Sequence, residues 1–247
     1  MAIDEKIHSV RNSPFFVKNY LTARKGYPYS LDQLDIMVRI IKGQFPDVPC
    51  FLDIGSGDGV LSAVILEYFP GATGYLLDFS EEAVSAAKEK LDGFGSQLKF
   101  LTLDYANDMH WYEKLGNQIP FDVIVSGYSI HHQHDERKRQ LYEEIFDILK
   151  PGGLFLNLEQ VSSETKWVEN IWDNLVIDFL YAARSDTSKD RKQVADKYYD
   201  SREKGKNINK LSPLELQCSW LREIGFQDVS IFFKIFQFTV FGGRKPL

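Results

Sequence analysis

The run Phe51-Leu52-Asp53-Ile54-Gly55-Ser56-Gly57-Asp58-Gly59 constrains this chain more than any other. A short apolar strand, Cys50 to Ile54, leads into three alternating glycines. An apolar helical stretch from about Val60 to Tyr68 follows, closed by Pro70 and Gly71. Glycine reaches backbone conformations closed to other residues and carries no side chain to hold a ligand away. A strand, a glycine turn and a helix in that order open an α/β unit whose turn can face a ligand.

The alternation continues downstream. The patterning predicts a helix starting at a capping box of Ser30 and Gln33 and stopping at Gly43. It then predicts strands over Gly74 to Asp78, Leu98 to Leu103 and Phe121 to Ser126, with a helix over Glu81 to Leu91. Leu141, Ile145 and Leu149 share one face of a helix over Glu136 to Leu149. Lys150-Pro151-Gly152-Gly153 turns that helix into a strand over Leu154 to Leu158. Strands alternating with helices of this length imply a parallel sheet covered on both faces.

After residue 160 the rhythm changes. Trp167, Ile171, Trp172, Leu175 and Phe179 suit a long amphipathic helix, and Arg184 to Lys210 carries nine Lys/Arg against five Asp/Glu, a solvated helical face. Ser212-Pro213-Leu214-Glu215 reads as an N-cap, first-turn proline and capping glutamate, with Gly225 as the stop. Strands over about Asp228 to Phe233 and Phe236 to Phe241 then make an antiparallel hairpin at the sheet edge.

One α/β core with added segments accommodates 247 residues. We expect a single domain: a cover over 1–45, a ligand-binding core over 46–160, a helical insertion over 161–211, and a terminal helix and hairpin over 212–247. Apolar residues at 44% and charged ones at 26% exclude disorder, and a net charge of −6 disfavours nucleic acid as a partner. Cys50 and Cys218 read as buried thiols in a reducing compartment. No signal peptide or membrane span is visible, so a soluble cytoplasmic protein is expected. Oligomeric state stays open, a homodimer included.

Acids at strand ends sharpen the glycine loop. In the dinucleotide fingerprint a third glycine would fall at Val60, so a pyrophosphate ligand is disfavoured. Asp78 ends the second strand, 19 residues beyond Gly59, where a carboxylate can accept both hydroxyls of a ribose. Asp104 ends the third strand and could accept from an adenine amino group while Tyr105 or Phe79 packs on the ring. Ser129-Ile130-His131-His132-Gln133-His134 follows the fourth strand. His131, slightly preferred, or His132 could take a proton from a nucleophile. His132, His134 and Asp135 lack the neighbours a metal site needs, and no metal is expected.

These residues resemble the class I S-adenosylmethionine-dependent methyltransferases. Asp53 to Gly59 is similar to that family's first motif, Leu76-Leu77-Asp78 to its second, Leu103-Asp104-Tyr105 to its third, and Phe121 to Ser126 to its fourth. Lys150 to Gly153 is similar to the turn before its fifth strand. The resemblance implies a Rossmann-like doubly wound seven-stranded sheet of order 3-2-1-4-5-7-6 with strand 7 antiparallel. It also implies S-adenosylmethionine as cofactor and transfer of a methyl group to an oxygen or nitrogen of a small-molecule acceptor. On it, Tyr20, Arg24, Asp53, Gly55, Ser56, Gly57, Gly59, Asp78, Phe79, Asp104, Tyr105 and Ser126 serve the cofactor. His131, His132 and Tyr128 serve catalysis, and Trp167, Tyr199 and Arg202 bind the acceptor. Tyr20, Tyr27, Tyr29 and Tyr128 could face the cofactor's cation. The absence of an Asp-Pro-Pro-Tyr or Asn-Pro-Pro-Tyr sequence after the fourth strand disfavours adenine and glutamine amino-methylating relatives.

Two alternatives stand beside this reading. Arg202 with the C-terminal Phe236-Gln237-Phe238 resembles carboxy-S-adenosylmethionine synthase, a family serving transfer-RNA modification, in which an arginine holds the added carboxylate. Gly55 to Gly59 and His131-His132 depart from that family. The other alternative is a non-catalytic cofactor-binding subunit, against which the intact motif positions argue.

Overall fold

The computed structural model describes residues 28–48, 50–118, 120–184, 186–188, 190–206 and 208–247. Tyr20, Arg24 and Tyr27 lie outside them.

Seven strands form one sheet: β1 (Cys50–Ile54), β2 (Thr73–Asp78), β3 (Leu98–Thr102), β4 (Phe121–Gly127), β5 (Leu149–Gln160), β6 (Gln227–Ile235) and β7 (Phe238–Arg244). Their order is 3-2-1-4-5-7-6, as the resemblance implies. β1 to β5 pair in parallel, and β7 runs antiparallel to both β5 and β6. The helices are α1 (Ser30–Gln44), α2 (Val60–Tyr68), α3 (Glu81–Lys90), α4 (Asp135–Ile148), α5 (Lys166–Ala183), α6 (Arg191–Gly205) and α7 (Leu214–Ile224).

The middle strands are apolar on both faces because both faces are covered. Leu34, Met37 and Ile41 of α1 pack with Val64 and Ile65 of α2 under one face. Leu141, Tyr142 and Ile145 of α4 pack with Leu221 of α7 under the other. On that second face Arg137 and Glu144 form a buried ion pair at 2.8 Å. The indole of Trp111 donates to the same carboxylate at 2.7 Å, and Arg137 Nε donates to the Tyr105 carbonyl at 3.0 Å.

Several local expectations need correction. Ser30 does not cap α1: Tyr29 is the N-cap, in the left-handed region with no side-chain cap bond, while Gln33 is buried and its Oε1 accepts from the Tyr128 hydroxyl at 2.5 Å. Gly43 lies inside α1, which runs on to Gln44. Lys150 to Gly153 belong to β5, whose pairing with β4 is irregular between Phe121 and Val123. α7 starts at Leu214 with Pro213 as its N-cap, because the Ser212 hydroxyl is committed to Lys138 and Asp135 of α4. Gly225 does stop α7, at φ 117°. Among the described residues no helix is long and apolar enough to cross a membrane.

Candidate active site

Register sets the site. β1 lies between β2 and β4, pairing Ile54 with both Leu77 and Ser126, so that the turns after all three strands emerge on one edge. From β1 the chain runs outward through β2 to β3 and then crosses to β4 on the other side of β1, which opens a crevice at the carboxyl ends of the strands. A cavity of about 280 Å3 occupies it, lined by the turn after β1, by Asp78 and Phe79 after β2, and by Tyr128 and His132 after β4.

The three glycines do different work. Gly55, at φ +66°, leaves so little room that an added Cβ would fall 1.8 Å from the Ser129 hydroxyl. Gly57, at φ +54°, faces open space. Gly59, at φ +79°, lets α2 close onto the sheet, where a Cβ would meet Leu91 at 2.5 Å. Asp78 ties the loop down: Oδ2 accepts from the Gly57 amide at 2.9 Å and Oδ1 from the Ser80 amide at 3.0 Å. Each oxygen keeps a lone pair for a further donor.

Asp53 sits below the loop, 1% exposed. Its Oδ2 accepts from the amide and hydroxyl of Ser62 in the first turn of α2, and its Oδ1 has no hydrogen-bond partner among the described residues. Burial pushes this carboxyl up to about 7, against the Ser62 hydrogen bonds and with help from Asp78. The folded protein therefore holds the proton above the ordinary carboxylate value of 3.8. The unfolded chain releases it earlier, so stability falls as pH rises from about 4 to 7, by on the order of 4 kcal/mol. Urea unfolding of Asp53→Asn across that window should be flatter with pH than that of the parent; equal slopes would contradict it.

The histidine pair is split between two environments. His131 is buried. Its amide donates to Glu159 Oε2 at 2.9 Å and its ring Nδ1 lies 2.5 Å from Oε1 of the same carboxylate, which is fully buried at the end of β5. His132 lines the cavity, its ring centroid 4.0 Å from that of His131. Partial desolvation and the neighbouring His131 hold it below the usual imidazole value, against Glu159 and the hydrogen bonds of Ile208 and Asn209. Its ring is therefore neutral and able to accept a proton at pH 7.

Residues 52–155 match the family model described as Methyltransferase domain. The core of this chain is thus similar to a methyltransferase domain, and its strand order is the one that the resemblance to class I S-adenosylmethionine-dependent methyltransferases implies. The chain is similar to carboxy-S-adenosyl-L-methionine synthase of Nautilia profundicola, 24% identical over 219 residues that cover 88% of this chain and 86% of the relative. It is also similar to malonyl-acyl-carrier-protein O-methyltransferase 2 of Ilyobacter polytropus, 33% identical over 105 residues, 42% of this chain and 37% of that one. Among solved structures it resembles the methyltransferase SibL (TM-score 0.59, 19% identity, 87% of this chain and 56% of that chain). It resembles as well an O-methyltransferase family protein from Burkholderia thailandensis (0.58, 17%, 92% and 63%). The chain thus spans under two thirds of those two structures.

The residues around this cavity fit S-adenosylmethionine. Asp78 offers lone pairs to a diol, Gly57 leaves the loop open, and the Asp53 oxygen that has no partner among the described residues is an acceptor bordering the cavity.

Other expected contacts stand elsewhere. Asp104 closes a turn on itself, accepting from the amides of Ala106 and Asn107 and from the Asn107 side chain at 2.7 Å, and does not line the cavity. Tyr105 is buried with its hydroxyl 2.7 Å from Ser129 Oγ, and Ser126 is buried with its hydroxyl donating to the Ile54 carbonyl. Both join elements of the core rather than lining the cavity. Trp167 is 72% exposed on the first turn of α5, and Tyr199 is exposed on α6 against Tyr198. Arg202 donates to Asp173 and Glu169 of α5. Cys50 is half-buried and Cys218 buried; burial pushes both thiols up to about 11, leaving them protonated at neutral pH.

Glu159, Asn209 and Gln33 were not anticipated. An acid ending an apolar strand was a readable signal for Glu159, as it was for Asp78. Nothing in the sequence around Asn209 or Gln33 points to the site.

Proposed function

We propose that this chain transfers the methyl group of S-adenosylmethionine to an oxygen or nitrogen of a small-molecule acceptor. The observation that carries this reading is the convergence of Asp53, Asp78 and His132 on one cavity at the switch point of the sheet. The cofactor supplies a methyl carbon already activated by its sulfonium. Asp78 accepts the ribose hydroxyls, Gly57 leaves room for the cofactor to approach, and Tyr128 offers an aromatic face to the cation. His132 receives the acceptor's proton, and His131, held by Glu159, packs behind it and fixes its position.

Titration calorimetry of S-adenosylmethionine against Asp78→Ala tests the cofactor site. Loss of charge-assisted hydrogen bonds, about 1.5–3 kcal/mol, weakens binding roughly 10–100-fold. Unchanged affinity would mean that the site lies elsewhere. Activity is tested with cofactor labelled in its methyl group against metabolite and transfer-RNA acceptors, and label appearing only in transfer RNA would contradict a small-molecule acceptor.

Similarity over most of the chain to a carboxy-S-adenosyl-L-methionine synthase favours a second reading, in which the cofactor itself is the substrate. Arg202 speaks against it, because its guanidinium is already held by two carboxylates. Mass spectrometry of ligand carried through purification separates the two: the carboxylated form supports the second reading and the ordinary form the first.

A further inference from the structure

A second cavity, of about 390 Å3, opens where α5 and α6 stand over the ends of β5 and β7. β5 shows how the two cavities relate. Leu158 lines the first and Gln160 the second, two successive positions on one face of the strand and about 7 Å apart. The partition between them is aromatic: Tyr128 of the first meets Phe238 of the second edge-on at 5.4 Å, and Phe238 meets Trp172 at 4.7 Å. Beside this partition Asn209 lines the second cavity and its side chain acts on the ring of His132, which lines the first, favouring the protonated form. The segment carrying Asn209 is clamped to the histidine loop, since the Lys210 amide donates to the His131 carbonyl at 2.8 Å and the buried Lys138 donates to the Lys210 carbonyl. The second cavity thus adjoins the first across Tyr128, on the side of the histidine loop.

Among the described residues the charged groups of this cavity are already paired within the protein. Arg202, its most buried cation, donates to Asp173 and to Glu169, two carboxylates against one guanidinium. Asp173 is 1% exposed and also accepts from the Tyr198 hydroxyl at 2.8 Å. An anion drawing Arg202 away would leave a buried carboxylate without its counter-charge, which is strongly unfavourable. Lys206, at the exposed rim, pairs with Glu203. What the cavity offers a ligand is aromatic and apolar surface from Trp172, Phe238 and Val176, with neutral hydrogen-bonding groups from Gln160, Ser201 and Asn209.

We infer that the second cavity is the acceptor site and that it takes an uncharged aromatic nucleophile, a hydroxy- or amino-substituted ring system, in preference to its carboxylated analogue. This rests on the reading of the first cavity as the cofactor site and names the acceptor class for it.

The test needs no turnover. The full-length protein, saturated with S-adenosylhomocysteine, is titrated calorimetrically with 2-naphthol and with 3-hydroxy-2-naphthoate. The expected result is naphthol binding at least about tenfold tighter, lost in Val176→Trp, which fills the void from α5. Ser201→Trp, at an exposed position of α6, blocks the same space and serves if the first variant fails to fold. Equal or tighter binding of the carboxylate, no binding of naphthol, or naphthol binding that survives a folded blocking variant overturns the proposal. Failure of S-adenosylhomocysteine itself to bind would overturn the cofactor reading instead, a separate measurement in the same instrument.

Discussion

His132→Ala is expected to lower kcat by about 10²–10⁴-fold while leaving cofactor affinity nearly unchanged. The ring lies in the cavity with Tyr128 and the glycine loop, and its lowered pKa keeps it neutral at pH 7. The sign follows from that direction: a base held below the usual 6.5 is fully competent at neutral pH and loses activity only as pH falls below that value. The kcat profile should accordingly be flat above about 6.5 and fall on the acid side, and the alanine variant should lose that acid limb. Single-turnover rates for His131→Ala and Glu159→Gln complete the set. Full activity in His132→Ala, with loss of activity in His131→Ala, would move proton acceptance to His131 and make Glu159 its direct partner.

The second large effect concerns stability. Glu144→Ala should cost about 3–5 kcal/mol, because it leaves the Arg137 guanidinium buried with its charge uncompensated. It also removes the acceptor of the Trp111 indole, a residue with no exposed surface. Pairing the change with Arg137→Leu should recover part of the loss, since it removes the uncompensated buried charge. Urea midpoints of the single and double variants measure this. If Glu144→Ala unfolds at the parent's midpoint, the ion pair carries no net stabilisation.

Placement, more than chemistry, is where the sequence reading was corrected. Asp78 ends β2, whereas Asp104 lies two residues beyond the end of β3. Asp78 meets the Gly57 amide across the crevice, whereas Asp104 has Asn107 three residues on and folds back on it. Tyr105 and Ser126 carry polar groups that a ligand could use, yet each finds its partner inside the protein. Arg202 reads as a carboxylate anchor until α5 brings Asp173 and Glu169 against it, 29 and 33 residues earlier in the chain. The acceptor-side aromatics changed for the same kind of reason. Trp167 and Trp172 lie on one amphipathic helix, and only the side that packs on β7 is enclosed.

What the sequence determined by itself is the part written in local rules. Alternating apolar strands and helices, three glycines at one turn and an acid at the end of the next strand specify a doubly wound sheet with a ligand crevice at its switch point, because periodicity and backbone freedom act over a few residues. What only the tertiary structure decided is which polar groups remain unspent. Asp53 Oδ1, the remaining lone pairs of Asp78 and the ring of His132 border the first cavity, while Asp104, Tyr105, Ser126 and Arg202 do not line it and hold partners within the protein. A buried polar group takes whatever partner the fold brings to it, and those partners come from segments far apart in the chain, where no local pattern records them.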